Sequence, residues 1–305
     1  MRGARRLRDR PVLTGVTRVV HRTAPRGPAA RQAPALGLVA FDTSLAGPTS
    51  TVYAIVRAAR AAGHPLTVVS ARSLDAASVA AAVETLRCRV VDGVLAVAPT
   101  DPALAALARI PADVPLLAVG AGEVEGVPAV AVDNIAGAAT ATRHLLDLGH
   151  ATVHHIAGPP GWPEARERMA GWQAALLEAG APIGMLLAGD WSVRSGYETA
   201  RLLAGDRGVT ALFCANDQMA LGALRALHLA GRAVPDEVSV VGFDDIPEAP
   251  FLRPPLTTMR QDLAALGRAS IDLLVGQIAD GRRIRRGKRI APALVKRAST
   301  ARPRM

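Results

Sequence analysis

The chain has 305 residues, 50% hydrophobic and 20% charged, enough for a sizeable core and more than one lobe at roughly 100–200 residues per domain. No run of about 18 apolar residues is present, which excludes a membrane-spanning helix. Cys88 and Cys214 lie in or beside apolar runs and read as reduced core residues, neither a disulfide nor a metal site. The net charge of +10 is concentrated at one end, because residues 1–34 carry nine of the 36 basic residues and one of the 26 acidic ones. A basic head of this kind is either a solvated tail or a nucleic-acid contact.

Met1 to Pro34 shows no helical hydrophobic period, and Pro11, Pro25, Pro28 and Pro34 break any long helix. It has no apolar segment or small-residue cleavage site of the secretory kind, so a cytoplasmic protein is expected. From Leu36 the pattern becomes regular. LGLVAF (Leu36 to Phe41) predicts a buried strand, followed by a loop and a helix from about Thr49 to Ala62. LTVVS (Leu66 to Ser70), DGVLAVA (Asp92 to Ala98), VPLLAV (Val114 to Val119) and PAVAVD (Pro128 to Asp133) predict further strands, with helices opened by Asp75 and Asp101. A helix from Asn134 ends in HLLDLGH, with Gly149 as its C-terminal stop.

A second series of strands and helices follows: TVHHIAG (Thr152 to Gly158), a helix through Trp172 to Ala179, IGMLLAG (Ile183 to Gly189) and a helix after Ser192. The strand Val209 to Cys214, a helix from Asn216 and the strand Val238 to Phe243 complete it. Strands alternating with helices of 10–15 residues imply βαβ units and parallel sheets. Two such series, split near residue 150, imply an α/β fold of two doubly wound lobes: residues 36–150 and 151–261, after a basic irregular arm over 1–35. Arg282 to Arg289 (RRIRRGKR) holds six basic residues in eight positions and reads as a solvated surface loop. No leucine heptad follows Lys296, which makes a dimer the highest expected state.

The most informative stretch is ANDQMALGALRALHLAGRAVPDEVSVVGFDDIP (Ala215 to Pro247). Asn216 follows one predicted strand and Asp244–Asp245 end another, and ligands in open α/β sheets sit beyond the carboxyl ends of strands. A carboxylate that accepts from two hydroxyls, beside an amide that donates and accepts, suits a neutral polyol.

ANDQMALG, VPDEVSVVGFDDIP and PPLTTMRQD (Pro254 to Asp262) stand in an order and spacing that resembles the effector-binding region of the lactose/galactose repressor family of bacterial transcription factors. The similarity covers roughly residues 36–300. It implies a periplasmic-binding-protein-like fold with a ligand cleft between the lobes. Residues 262–281 would return to the first lobe and 289–297 to the second. It also implies a carbohydrate effector, operator DNA as partner and a homodimer. In the family a helix-turn-helix and a minor-groove hinge precede the sensor. No such module is recognisable in residues 1–34, so either the start is truncated or frame-shifted, the expectation favoured by composition, or the arm has another design.

The resemblance assigns effector contact to Asp244, the first of the acidic pair, with Asp245 left to capping. It raises Asn216 from helix cap to ligand contact. In RERMAGW (Arg166 to Trp172) the second arginine, Arg168, would reach into the cleft as a fork-shaped donor, while Glu164 and Glu167 offer ordinary surface ion pairs. Trp191 in GDWSVRSGYE would stack on the apolar face of a pyranose; family members that bind galactosides carry a similar GDWS. Asp42, Thr43 and Ser44 would form the opposite wall. Some relatives place a carboxylate after the PLLAV strand, where this chain has Gly120.

No enzyme is expected. GAGEVEG (Gly120 to Gly126) lacks GxGxxG, His154 and His155 would point to opposite strand faces, and Ser192, Ser195 and Ser239 lack a nucleophile elbow. No cofactor or metal is expected either. The expected function is a sugar-responsive transcriptional repressor; the alternative is a carbohydrate sensor without DNA-binding activity.

Overall fold

Short runs of Val, Leu, Ala and Ile, bounded by Gly, Pro and Asp, form strands buried on both faces, as parallel sheets covered by helices require. The computed structural model describes residues 33–41, 45–73, 75–98, 100–111, 113–120, 126–282 and 287–304. The arm over 1–32, and with it the expected DNA-binding region, lies outside them. The elements in chain order are β1 (Leu36–Phe41), α1 (Ala46–Ala61), β2 (Leu66–Ala71), α2 (Ala76–Arg87), β3 (Gly93–Val97), α3 (Asp101–Ala108), β4 (Leu116–Val119) and β5 (Ala129–Val132). Then come α4 (Asn134–Asp147), β6 (His154–Ala157), α5 (Pro163–Glu178), β7 (Leu186–Ala188), α6 (Val193–Ala204), β8 (Ala211–Cys214), α7 (Asp217–Leu229) and β9 (Ser239–Asp244). The chain closes with β10 (Thr257–Arg260), α8 (Leu263–Asp280), β11 (Lys288–Ile290) and β12 (Ala293–Val295).

The strands form two six-stranded sheets of like topology, β11-β5-β4-β3-β1-β2 and β12-β10-β9-β8-β6-β7. Every pairing is parallel except β10 with β12. Each order reverses after its first strand, at β1/β3 and at β6/β8, which opens a crevice at the carboxyl ends of those strands. The helices start where the sequence places small polar caps: Asp75, Asp133, Ser192, Asn216 and Asp262 each accept a hydrogen bond from the backbone N–H three residues on.

An aromatic-poor chain gains packing density by bringing backbones close. At Gly171 of α5 a Cβ would collide with the Ile135 carbonyl of α4, and at Gly222 of α7 with the Val193 carbonyl of α6. One apolar cluster runs from Leu36 and Ile55 of the first lobe to Trp172 and Phe213 of the second. Among the described residues no helix is long and apolar enough to cross a membrane.

Two boundaries differ from expectation. The first lobe was expected to reach residue 150, but α4 packs on α5 and against β8, β10 and β12, so the chain changes lobe at Asp133. The second-lobe return was expected from residue 289, but Lys288–Ile290 pairs with β5 of the first sheet, and the return follows Ile290. Between these points α8 packs on α1 and β3, so three connections join the lobes. Cys88, expected in the core, is exposed just past α2, whereas Cys214 is buried.

Candidate functional site

The carboxyl ends of both sheets face one cavity of about 280 Å³. That is near the lower end of the ~300–1,000 Å³ typical of small-molecule sites. Val97, Gly120 and Val132 line it from the ends of β3, β4 and β5, and Trp191, Asn216 and Asp244 from the ends of β7, β8 and β9.

Asp244 and Asp245 have φ of +119° and +58°, a left-handed region that disfavours side chains other than glycine. These turns send two adjacent carboxylates to different duties. Asp244 lines the cavity, accepts from the Gln261 side-chain amide and lies 3.6 Å from the Arg168 guanidinium. Burial pushes its pKa up to about 6, against the opposing charge of Arg168 and the Gln261 hydrogen bond. Asp245 instead accepts from Arg260 and Arg297, each at 2.6 Å, and anchors the loop after β9 to β10 and the C-terminal strand region. Beneath the pair, buried Asp217 accepts from the Thr258 hydroxyl at 2.6 Å and the Ile246 N–H at 2.9 Å. It thereby fixes the backbone just past Asp245.

Arg168 lies one and a half turns into α5 with 6% of its surface exposed. Its Nε donates to Asn134 Oδ1 at 2.9 Å, its Nη1 donates to the Ala215 carbonyl, and its guanidinium stacks 3.8 Å from the centre of the Phe243 ring. The fork is held on three sides, and its remaining N–H groups are left for the cavity it lines.

Trp191 has φ of +74° and is buried to 8% exposure. Gly158 leaves room for its ring, since a Cβ there would overlap the indole, and Trp162 packs edge-on at 5.8 Å. Its backbone carbonyl accepts from the Asn216 amide at 3.0 Å, while Asn216 Oδ1 caps α7 through the Met219 N–H at 2.8 Å. Asn216 therefore serves as cap and as a positioner of Trp191, with one amide hydrogen uncommitted at the cavity wall.

Asp42, Thr43 and Ser44 lie outside the described residues. Next to them, Leu45, Gly47, Pro48 and Thr51 at the start of α1 supply an apolar wall. The structure thus brings Arg168, Trp191, Asn216 and Asp244 to one cavity. Sequence reading missed several polar groups there, among them Gln261, Asn134 and Glu164. Gln261 directly follows β10, so the strand-end rule would have found it had that strand been recognised.

Glu164 and Glu167 were weighed together as surface pairs, and they separate. Glu167 pairs with Arg289 at 3.0 Å and accepts from Asn134. Glu164 turns into the cavity, where burial pushes its pKa up to about 8 against the charge of Arg168, with Glu167 and Asp244 adding to the rise.

His155 and His150 have structural duties. His155 is fully buried and stacked on Phe213 at 4.6 Å; burial lowers its pKa to about 4 against its bond to the Phe213 carbonyl. His150 contacts the hydroxyls of Thr210 and Ser239. Among the described residues no cluster of His, Cys, Asp or Glu is placed to hold a metal ion.

Residues 142–300 match the family model for a periplasmic binding protein-like domain. The lactose operon repressor of Escherichia coli (strain K12) is 32% identical over 277 residues, covering 90% of this chain and 77% of that protein. The ribose operon repressor of the same strain is 34% identical over 222 residues, covering 71% of this chain and 67% of its own length. A solved structure of the Lac repressor dimer bound to operator and the anti-inducer ONPF superposes with a TM-score of 0.81 at 32% identity, covering 89% of this chain and 95% of that one.

Proposed function

The chain belongs to the lactose/galactose repressor family, and from that premise we propose that it is a sugar-responsive transcriptional repressor whose two-lobed sensor closes on a small carbohydrate. The observation that carries the reading is the convergence of Arg168, Trp191 and Asp244 on one cavity between two sheets. In this reading Asp244 accepts from neighbouring hydroxyls, Arg168 donates to ring or hydroxyl oxygens, and Trp191 offers a flat face to the sugar's C–H groups. Asn216 donates its spare amide hydrogen. Repression, not catalysis, is the activity of the relatives compared above.

A ligand that touches both lobes favours the closed arrangement over the open one, and the sugar shifts the balance only by the difference in its affinity for the two. Closure moves the first lobes of a homodimer relative to one another and so resets the spacing of the segments that hold operator DNA. The protein works in the cytoplasm, where that DNA is. Calorimetric titration of the purified protein with neutral hexoses, pentoses and disaccharides tests the reading. Saturable binding of at least one, lost in Asp244→Ala, is the expected result; no binding by any of them, or binding unchanged in the variant, overturns it.

A further inference from the structure

Among the described residues three ionisable side chains line the cavity, Arg168, Asp244 and Glu164, and two of them already answer each other. Arg168 faces Asp244 at 3.6 Å and spends other N–H groups on Asn134 and the Ala215 carbonyl. Asp244 also holds Gln261. Among the described residues Glu164 makes no hydrogen bond and has no cationic group within 4.0 Å. It stands beside Trp162 on one side and reaches the other lobe, its Oε1 3.5 Å from where a Cβ would stand at Gly120. Gly120 has no side chain to contest that space. The second lobe therefore places a carboxyl group against the end of β4 in the first, with no partner among the described residues.

Without such a partner, burial keeps Glu164 largely protonated at neutral pH; a cation at its side recovers the carboxylate form and releases that proton, which a neutral hydroxyl does not. We propose that Glu164 selects the effector and that the effector is an amino sugar, its protonated amine paired with the Glu164 carboxylate at the Gly120 edge of the cleft. The proposal rests on the carbohydrate-sensor reading and narrows it. The amine sits where both lobes meet, so the contact that gives selectivity also favours closure. Arg168 remains the donor to the ligand's oxygens, and its pairing with Asp244 keeps the rest of the site neutral.

The test is calorimetric titration of the full chain with 2-amino, 3-amino and 6-amino hexoses, their N-acetyl derivatives and their hydroxyl parents. At least one amino sugar should bind about tenfold or more tightly than its parent and its N-acetyl form. Glu164→Gln should erase that preference, the amino sugar losing about tenfold more affinity than its hydroxyl parent. Glu164→Asp, which keeps the charge, should retain part of the preference, and a melting curve for each variant establishes that it is folded. If parents bind as tightly as amino sugars, or the preference survives in Glu164→Gln, the proposal is overturned and the carbohydrate sensor stands. If no sugar in the set binds, the amino-sugar proposal is overturned, and the titration with pentoses and disaccharides decides the carbohydrate reading separately.

Discussion

Arg168 and Asp244 face each other at 3.6 Å, within reach of an ion pair but beyond a hydrogen bond. Each therefore keeps bonding capacity turned toward the cavity, and a ligand hydroxyl placed between them completes both. Asp244→Ala should abolish the rise in melting temperature produced by a binding sugar and leave cooperative unfolding intact. Asp244→Gly should lose the same response and melt higher than the alanine variant, by about 1 kcal/mol, because glycine accepts the φ of +119° without strain. Thermal melts with and without sugar decide both points, and an unchanged ligand shift would remove Asp244 from the site.

The indole of Trp191 lines the cavity together with Trp162, whereas Trp172 is buried in the core with its N–H bonded to the Val153 carbonyl at 2.9 Å. Sugar binding should change tryptophan emission in the wild type and in Trp172→Phe. In Trp191→Phe most of the change should vanish and affinity should drop by about 1 kcal/mol. A full signal in Trp191→Phe would place the reporting aromatic elsewhere, at Trp162.

Much of this arrangement is legible in the sequence. Strands buried on both faces read as apolar runs, so nearly every strand up to β9 is visible before the structure, and the helix starts are marked by Asp, Asn and Ser. The acidic pair after β9 marks the cleft, but sequence alone does not say which carboxylate faces it, because the positive φ values at both positions decide that. The lobe assignment of α4 is hidden, since Asp133 joins β5 to α4 with no intervening loop while Gly149 imitates a boundary. The edge strand β11 carries Lys288 and Arg289 and reads as a charged loop. Glu164 is hidden for the same reason: an acidic residue in the first turn of a helix usually faces water.

Glu164 should leave a signature in stability as well as in binding. Its pKa is raised from 4.5 to about 8 in the folded protein, so the native state holds this proton more tightly than the unfolded chain. Its contribution is fully present below pH 4.5 and is lost as pH rises toward about 8. Arg168 offsets part of the loss, and Glu167 and Asp244 add to it. The melting temperature of Glu164→Gln minus that of the wild type should therefore increase from pH 5 to pH 8 on this titration. A difference that is flat across the series would show that Glu164 is ionised throughout.

The α4–α5 contact offers a test of packing away from the ligand. A methyl group at Gly171 would strike the Ile135 carbonyl and press on the Ala138 side chain. Gly171→Ala should cost about 1–3 kcal/mol of stability in denaturant melts, with the midpoint falling and the slope unchanged. A variant as stable as the wild type would mean that the two helices can part at little cost.

The three connections between the lobes also set a timetable for synthesis. The first sheet receives β11 only after all the strands of the second sheet except β12 have been made, and β12 follows within a few residues. Ser299 then ties the tail back to β9 through the Val240 carbonyl at 2.6 Å. Neither half can finish on the ribosome while the other waits; both reach their complete form together, in the last stretch of translation. A nonsense codon near the 3′ end of the reading frame would leave two unfinished lobes, not one intact sensor beside a damaged one.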